Sequence, residues 1–271
     1  MGTTNRSAPR PVLVTAHPGH ELLVHHWMET AHPIVLVFTD GSGLFGQSRI
    51  EPSQLAVRDA GAEPGPLFGI APDKAFYAAI LRRDVGFFTR ILDTVTEAIA
   101  AARAPRVVSE AVEFVLPVHD LSSAIATIAA RRAALWLRME IARYEFPIEL
   151  VNFSEDPVPD REVIRLDAPA IARKLAAGER NAALRGEIAR VTVAHPGLPG
   201  LEIFTRIPDT RAAMPAPEQT PAYERIGRAR AAEGSVSEVI TYQGHVAPLV
   251  EALEQHAKRA SVPAGLSAER V

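Results

Sequence analysis

The residues best suited to chemistry in this chain are histidines set beside carboxylates at three places: His17-Pro18-Gly19-His20-Glu21, Thr39-Asp40-Gly41 and Val118-His119-Asp120. The first two stretches directly follow short apolar runs, and the third follows one after a brief loop. Ligands of open α/β sheets settle outside the carboxyl ends of the strands, so polar residues placed there carry more weight than polar residues elsewhere. Imidazoles and carboxylates converging on one sheet edge are the donors a zinc ion takes, and a catalytic zinc keeps a fourth position for water. With no cysteine among the 271 residues, a metal would have to rest on His, Asp and Glu alone.

The elements that must position these groups read as an alternation of strands and helices. Residues 11–15, 34–38 and 106–111 are short, apolar and rich in β-branched side chains, the pattern of buried strands. Helical period follows over residues 21–30, with Leu22, Leu23, Trp27 and Met28 on the apolar side, and over 52–61, opened by Pro52 and stopped by Gly61. Residues 84–104 repeat Val85, Phe88, Ile91, Leu92, Val95 and Ile99 three or four apart, as a helix packed on a sheet does. A long Ala-rich helix is expected over 122–144, with Ile125, Ile128, Ala129, Leu135 and Met139 in the core. Pro147 makes 146–153 a strand near a sheet edge. Residues 168–191 read as a helix, 194–219 as a Pro- and Gly-rich excursion over the surface, and 246–257 as a closing helix. This order predicts an α/β fold, a Rossmann-like and mostly parallel sheet with helices on both faces. One domain is expected over residues 11–258, between a disordered lead-in at 1–10 and a flexible tail at 259–271.

Composition narrows the function. Hydrophobic residues make up 47% and charged residues 23%, as in ordinary globular proteins. The net charge of −3 and the lack of a polybasic run speak against nucleic acid as a partner. No stretch approaches the ~20 consecutive apolar residues of a membrane span, and the polar first ten residues do not look like a signal peptide. Together with the lack of cysteine, this predicts a cytoplasmic protein, with a homo-oligomer left open.

At these motifs the chain resembles the zinc-dependent N-deacetylases of the PIG-L/LmbE family. Those enzymes carry Ala-His-Pro-Asp-Asp-Glu after the first strand, Thr-Asp-Gly after the second, and an isolated His before a later helix. Here Ala16-His17-Pro18-Gly19-His20-Glu21, Thr39-Asp40-Gly41 and Val118-His119-Asp120 stand in the same order at similar separations, and the likeness is clearest from residue 11 to about residue 130. The resemblance implies an LmbE-like fold, Zn2+ or another divalent ion held by His17, His20 and His119, and hydrolysis of an N-acetylated sugar or glycoconjugate to acetate and a free amine. It also implies that Arg49, at the spacing where the family keeps a sugar-contacting arginine, binds substrate, although the acid that normally follows it is displaced to Glu51. His245, ahead of the last helix, is a second substrate-binding position.

Two departures matter. The family's general base is the first Asp of its motif, and Gly19 occupies that place; an imidazole, His20, replaces the carboxylate ligand. A neutral ligand leaves more charge on a metal and favours deprotonation of bound water. Protons must still move, and Glu21, Asp40 and Asp120 are the carboxylates available for that work. Asp40 also suits a turn, and Asp120 a helix N-terminus. His25, His26 and His32 read as solvated residues, and His195 as part of a loop. Two rival functions remain: a nucleotidyltransferase using His17-Pro18-Gly19-His20 as a His-x-Gly-His turn, and a sugar-binding homologue without catalysis. The first leaves Thr39-Asp40-Gly41 and His119 unexplained, and the second rests on Gly19.

Overall fold

Strand β1, Val12–Thr15, has no exposed side chain, and its residues serve two cores in turn. Val12 and Val14 pack on one face of the sheet with Leu36, Phe38, Ile91, Val95, Ile125 and Leu249, while Leu13 packs on the other with Trp27, Met28, Val35, Val37 and Val108. A strand covered on both faces loses the apolar/polar alternation of a half-exposed one, which is why residues 11–15 read as a continuous apolar run. The computed structural model describes residues 8–43, 46–153 and 158–259. The expected lead-in, apart from residues 8–10, and the expected tail, apart from residue 259, lie outside the described residues.

The sheet has seven strands: β1, β2 (Ile34–Thr39), β3 (Glu63–Ala71), β4 (Arg106–Glu110), β5 (Ala142–Phe146), β6 (Arg161–Arg165) and β7 (Leu201–Arg206). Their spatial order is β3-β2-β1-β4-β5-β7-β6. Strands β1 to β5 pair in parallel, and β7 runs antiparallel to both β5 and β6. The helices are α1 (His25–Ala31), α2 (Ile50–Asp59), α3 (Asp73–Leu81), α4 (Val85–Ala101), α5 (Pro117–Leu137), α6 (Ala168–Arg180), α7 (Arg185–Ala194), α8 (Ala222–Ala232) and α9 (Ala247–Arg259). The expected mostly parallel α/β sheet with helices on both faces is therefore the observed fold. No helix among the described residues is long and apolar enough to cross a membrane.

Several boundaries differ from the sequence reading. The segment expected as one helix over 21–30 is a 3-10 turn, His20–Val24, followed by α1, because Glu21 turns fully inward instead of lying on a helix surface. Helix α5 begins earlier than expected, at Pro117, and stops at Leu137, where Arg138 takes a left-handed conformation; β5 then occupies residues expected to be helical. The segment 146–153 is not an edge strand: β5 lies inside the sheet, and Leu150–Asn152 is a 3-10 turn. Leu135 is 78% exposed, on the outer side of α5. The expected helix 168–191 is broken at Asn181 into α6 and α7. The surface excursion 194–219 hides β7, an interior strand of the sheet. His25, expected to be solvated, is buried at 3% exposure.

Candidate functional site

The chain leaves β1 for β2 and β3 on one side and returns through β4 on the other, so the gap at the carboxyl ends of β1 and β4 is the switch point where doubly wound sheets hold ligands. Four groups converge there. His17 and His20 follow β1, Glu110 ends β4, and His119 lies in the first turn of α5, which Pro117 opens. The ring centroids of His17, His20 and His119 stand 5.3, 5.0 and 4.8 Å apart pairwise. The three imidazoles singled out in the sequence are thus brought together.

Glu110 was not foreseen. It is fully buried, and its Oε1 accepts hydrogen bonds from the Ala16 backbone N–H at 2.7 Å and from His20 Nδ1 at 2.8 Å. His119 Nδ1 lies 3.9 Å from Glu110 Oε2. Potential ligand atoms of His20, Glu110 and His119 all lie within 4.8 Å of one another, so these three residues could hold a metal ion. The chemistry of the set fits a divalent cation, since two imidazoles and a carboxylate are ordinary zinc donors. Two atoms also lack any other use: His119 Nε2 and Glu110 Oε2 are buried without a hydrogen-bond partner. Other buried side-chain atoms also lack a hydrogen-bond partner, but these two belong to one cluster of metal-ligating types.

The electrostatics are those of a site short of positive charge. Burial opposes a charge on His20, but Glu110 beside it raises its pKa above the ordinary imidazole value. Burial likewise opposes ionisation of Glu110, yet His20 beside it holds its carboxyl below the usual range. His119, enclosed more completely, is pushed down to about 3 by burial and stays neutral.

A second carboxylate, Asp73 at the start of α3, reaches the cluster from the far side of His17, with its Oδ1 3.0 Å from His17 Nδ1. It escaped the sequence reading because Pro64, Gly65 and Pro66 disguise β3, a strand whose edge position tolerates them. Glu110 carried a usable signal: a carboxylate closing the short strand Arg106–Glu110 at the same sheet edge as Asp40.

The other foreseen residues divide. Glu21 is fully buried and saturated, accepting from Gly19 N at 2.7 Å and Ser53 Oγ at 2.6 Å, and burial raises its pKa. Asp40 accepts from Ser42 N at 2.9 Å and holds the turn after β2. Asp120 is buried; its Oδ1 accepts from Glu113 N and Phe114 N, both at 3.1 Å, while Oδ2 has no partner. Burial raises the Asp120 carboxyl to about 7. Arg49 donates from Nε to Gly41 O at 2.5 Å, which places it in the turn beside the cluster. His245 turns to its own segment, with Nδ1 accepting from Thr241 N at 3.0 Å, and is not brought to the imidazoles.

Gly19 is tightly constrained. Its φ is +108°, a conformation that L side chains rarely adopt, and a Cβ there would collide with Leu184 Cδ1 from the turn between α6 and α7. Leu184 packs with Leu22, Ala56 and Ala177, so this wall of the site is apolar.

No family model matches the sequence, and no curated protein matches it. Solved structures do. The chain is similar in fold to the A40926 pseudoaglycone deacetylase, with a TM-score of 0.54 and 18% identity over 76% of this chain and 100% of that one. The zinc-inhibited form of teicoplanin deacetylase superposes with a TM-score of 0.49 at 11% identity, covering 74% of this chain and 100% of the other. A conserved protein from Thermus thermophilus gives 0.45 at 15% identity, over 77% and 98%. The first of these likenesses shows that the α/β architecture is one a deacetylase also uses, and the cluster at the switch point gives it a possible metal centre.

Proposed function

We propose that the protein is a divalent-metal-dependent amide hydrolase that removes an N-acetyl group from an amino sugar or sugar conjugate. The single observation that carries this reading is the convergence of His17, His20, His119 and Glu110, with His119 Nε2 and Glu110 Oε2 buried and unpaired. His20, Glu110 and His119 would hold the ion, with the His17 ring packed against both histidines. A zinc ion held there would supply Lewis acidity toward a carbonyl oxygen and lower the pKa of water. The chain supplies the rest. Asp120, next in sequence to His119, has one oxygen fixed by two backbone amides and the other without a hydrogen-bond partner, and it is the carboxylate proposed to carry a proton to the leaving amine. Glu21 and Asp40 are occupied in holding turns, and Arg49 is the nearest cation for a sugar hydroxyl or phosphate. The fold shared with the A40926 pseudoaglycone deacetylase supports the reaction class.

The test is acetate release from a panel of N-acetylated amino sugars by zinc-loaded protein. Release that disappears in His119→Ala and falls at least ~100-fold in Asp120→Asn is expected, the scale of a general acid–base contribution. A second reading has one observation in its favour: the position of the family's base is a glycine closed over by Leu184, as in a protein that binds a sugar without hydrolysing it. Zinc binding without acetate release across the panel would select that reading.

A further inference from the structure

We propose that Asp73 is a positioning residue that fixes the His17 ring, presenting Nε2 to the centre, and ties the turn leading to Arg49 to the same carboxylate. The inference rests on the metal centre proposed above.

The neighbours of His17 Nδ1 call for a donor at that nitrogen. Nδ1 has two neighbours, Thr39 Oγ1 at 2.7 Å and Asp73 Oδ1 at 3.0 Å. A hydroxyl can donate or accept, whereas an ionised carboxylate only accepts. Were Nδ1 unprotonated, its lone pair would face a carboxylate oxygen at 3.0 Å with no proton between them. An Nδ1–H donor suits both neighbours, and it leaves Nε2 as the ring nitrogen that would serve a metal. Thr39 Oγ1 completes the bracket by accepting from Gly41 N at 3.2 Å.

Asp73 Oδ2 is committed elsewhere, accepting from Gly43 N at 2.5 Å. The Asp73 backbone N–H donates to Asp40 Oδ1 at 3.3 Å, and the Asp40 carbonyl accepts from Arg49 N at 2.8 Å. One side chain thus spans the end of β1, the start of α3 and the turn after β2. Its burial, at 5% exposure, keeps water from substituting for either oxygen's partner. Among the described residues, no other carboxylate hydrogen-bonds to His17.

Zinc affinity of Asp73→Ala and Asp73→Asn, measured by chelator competition, tests the proposal alongside 15N spectra of the His17 side chain in metal-free protein. The expected results are a Nδ1–H tautomer in the parent and a ~10- to 100-fold loss of zinc affinity in Asp73→Ala, the range for removing a partner of a metal-bound histidine. Asp73→Asn, which keeps a carbonyl acceptor but cannot serve His17 and Gly43 equally, should fall between the two. Parent-like affinity in Asp73→Ala, or an Nε2–H tautomer in the parent, would overturn the inference. If Asp73→Ala does not fold, the Asp73→Asn affinity and the parent spectrum decide. A parent that binds no zinc but shows the Nδ1–H tautomer would sink the hydrolase reading while supporting the orienting contact.

Discussion

Two buried polar clusters in this molecule, each built around a buried glutamate, differ in how completely they are satisfied. On one side of the fold, Lys174 donates to Leu23 O at 2.7 Å and Glu202 Oε1 at 3.0 Å, and Glu202 accepts from the His26 and Trp27 backbone N–H groups, both at 2.8 Å. Both charges are matched, and the carboxylate also caps the start of α1. At the switch point of the sheet, by contrast, His119 Nε2, Glu110 Oε2 and Asp120 Oδ2 are buried and unpaired. A saturated cluster is finished as it stands and serves folding. An unsaturated one, held open by a rigid sheet, is suited to a ligand that completes it.

Removing one partner from each cluster should break this comparison most visibly. Glu202→Ala leaves the Lys174 ammonium buried without its counter-charge, and a loss of about 3–5 kcal/mol in unfolding free energy is expected from denaturant titration. Glu110→Gln should change the stability of the metal-free protein far less while impairing zinc binding; equal destabilisation by the two substitutions would erase the distinction.

Zinc itself should stabilise the parent, by about 2.7 kcal/mol at a free concentration about 100 times its dissociation constant, and leave His119→Ala unmoved in a thermal scan. Gly19→Ala comes next. A positive φ and the overlap with Leu184 Cδ1 predict a cost of about 1–3 kcal/mol, the range for overpacking a filled site, and Leu184→Ala in the same chain should recover part of it.

The smallest effect concerns an exposed pair. Hydrogen bonds from Arg173, with a further one from His26, lower the Glu29 pKa to about 2 despite partial burial. A depressed carboxyl contributes stability that is present above its unfolded value of 4.5 and is lost as the pH falls through about 2. Because Arg173 is half exposed, screening keeps the contribution small. Acid titration of Glu29→Gln beside the parent should show a small difference at about pH 6 that vanishes near pH 2.

Within the parallel half of the sheet β1, β2 and β4 were legible, β1 and β2 as buried apolar runs and β4 through Val107 and Val108, whereas β3 and β5 were not. Nor was the antiparallel half. Strands β6 and β7 carry Arg161, Glu162, Arg165, Glu202 and Arg206, so their composition does not separate them from loops. The same contrast holds within the site. His17, His20 and His119 could be found because each sits just past a readable strand or at a readable helix start, whereas Asp73 follows a strand masked by prolines. His245 failed to reach the imidazoles because a π-helical turn, Tyr242–Val246, folds its ring back onto Thr241, a local conformation that residue types alone do not announce.

The most direct test is the metal content of purified protein after zinc loading and gel filtration, determined by mass spectrometry of the element. About one equivalent per chain is predicted for the parent, with loss in His20→Ala and in His119→Ala. A parent that retains no divalent ion, or a double variant lacking both histidines that retains it fully, would contradict the assignment of this cluster as a metal centre.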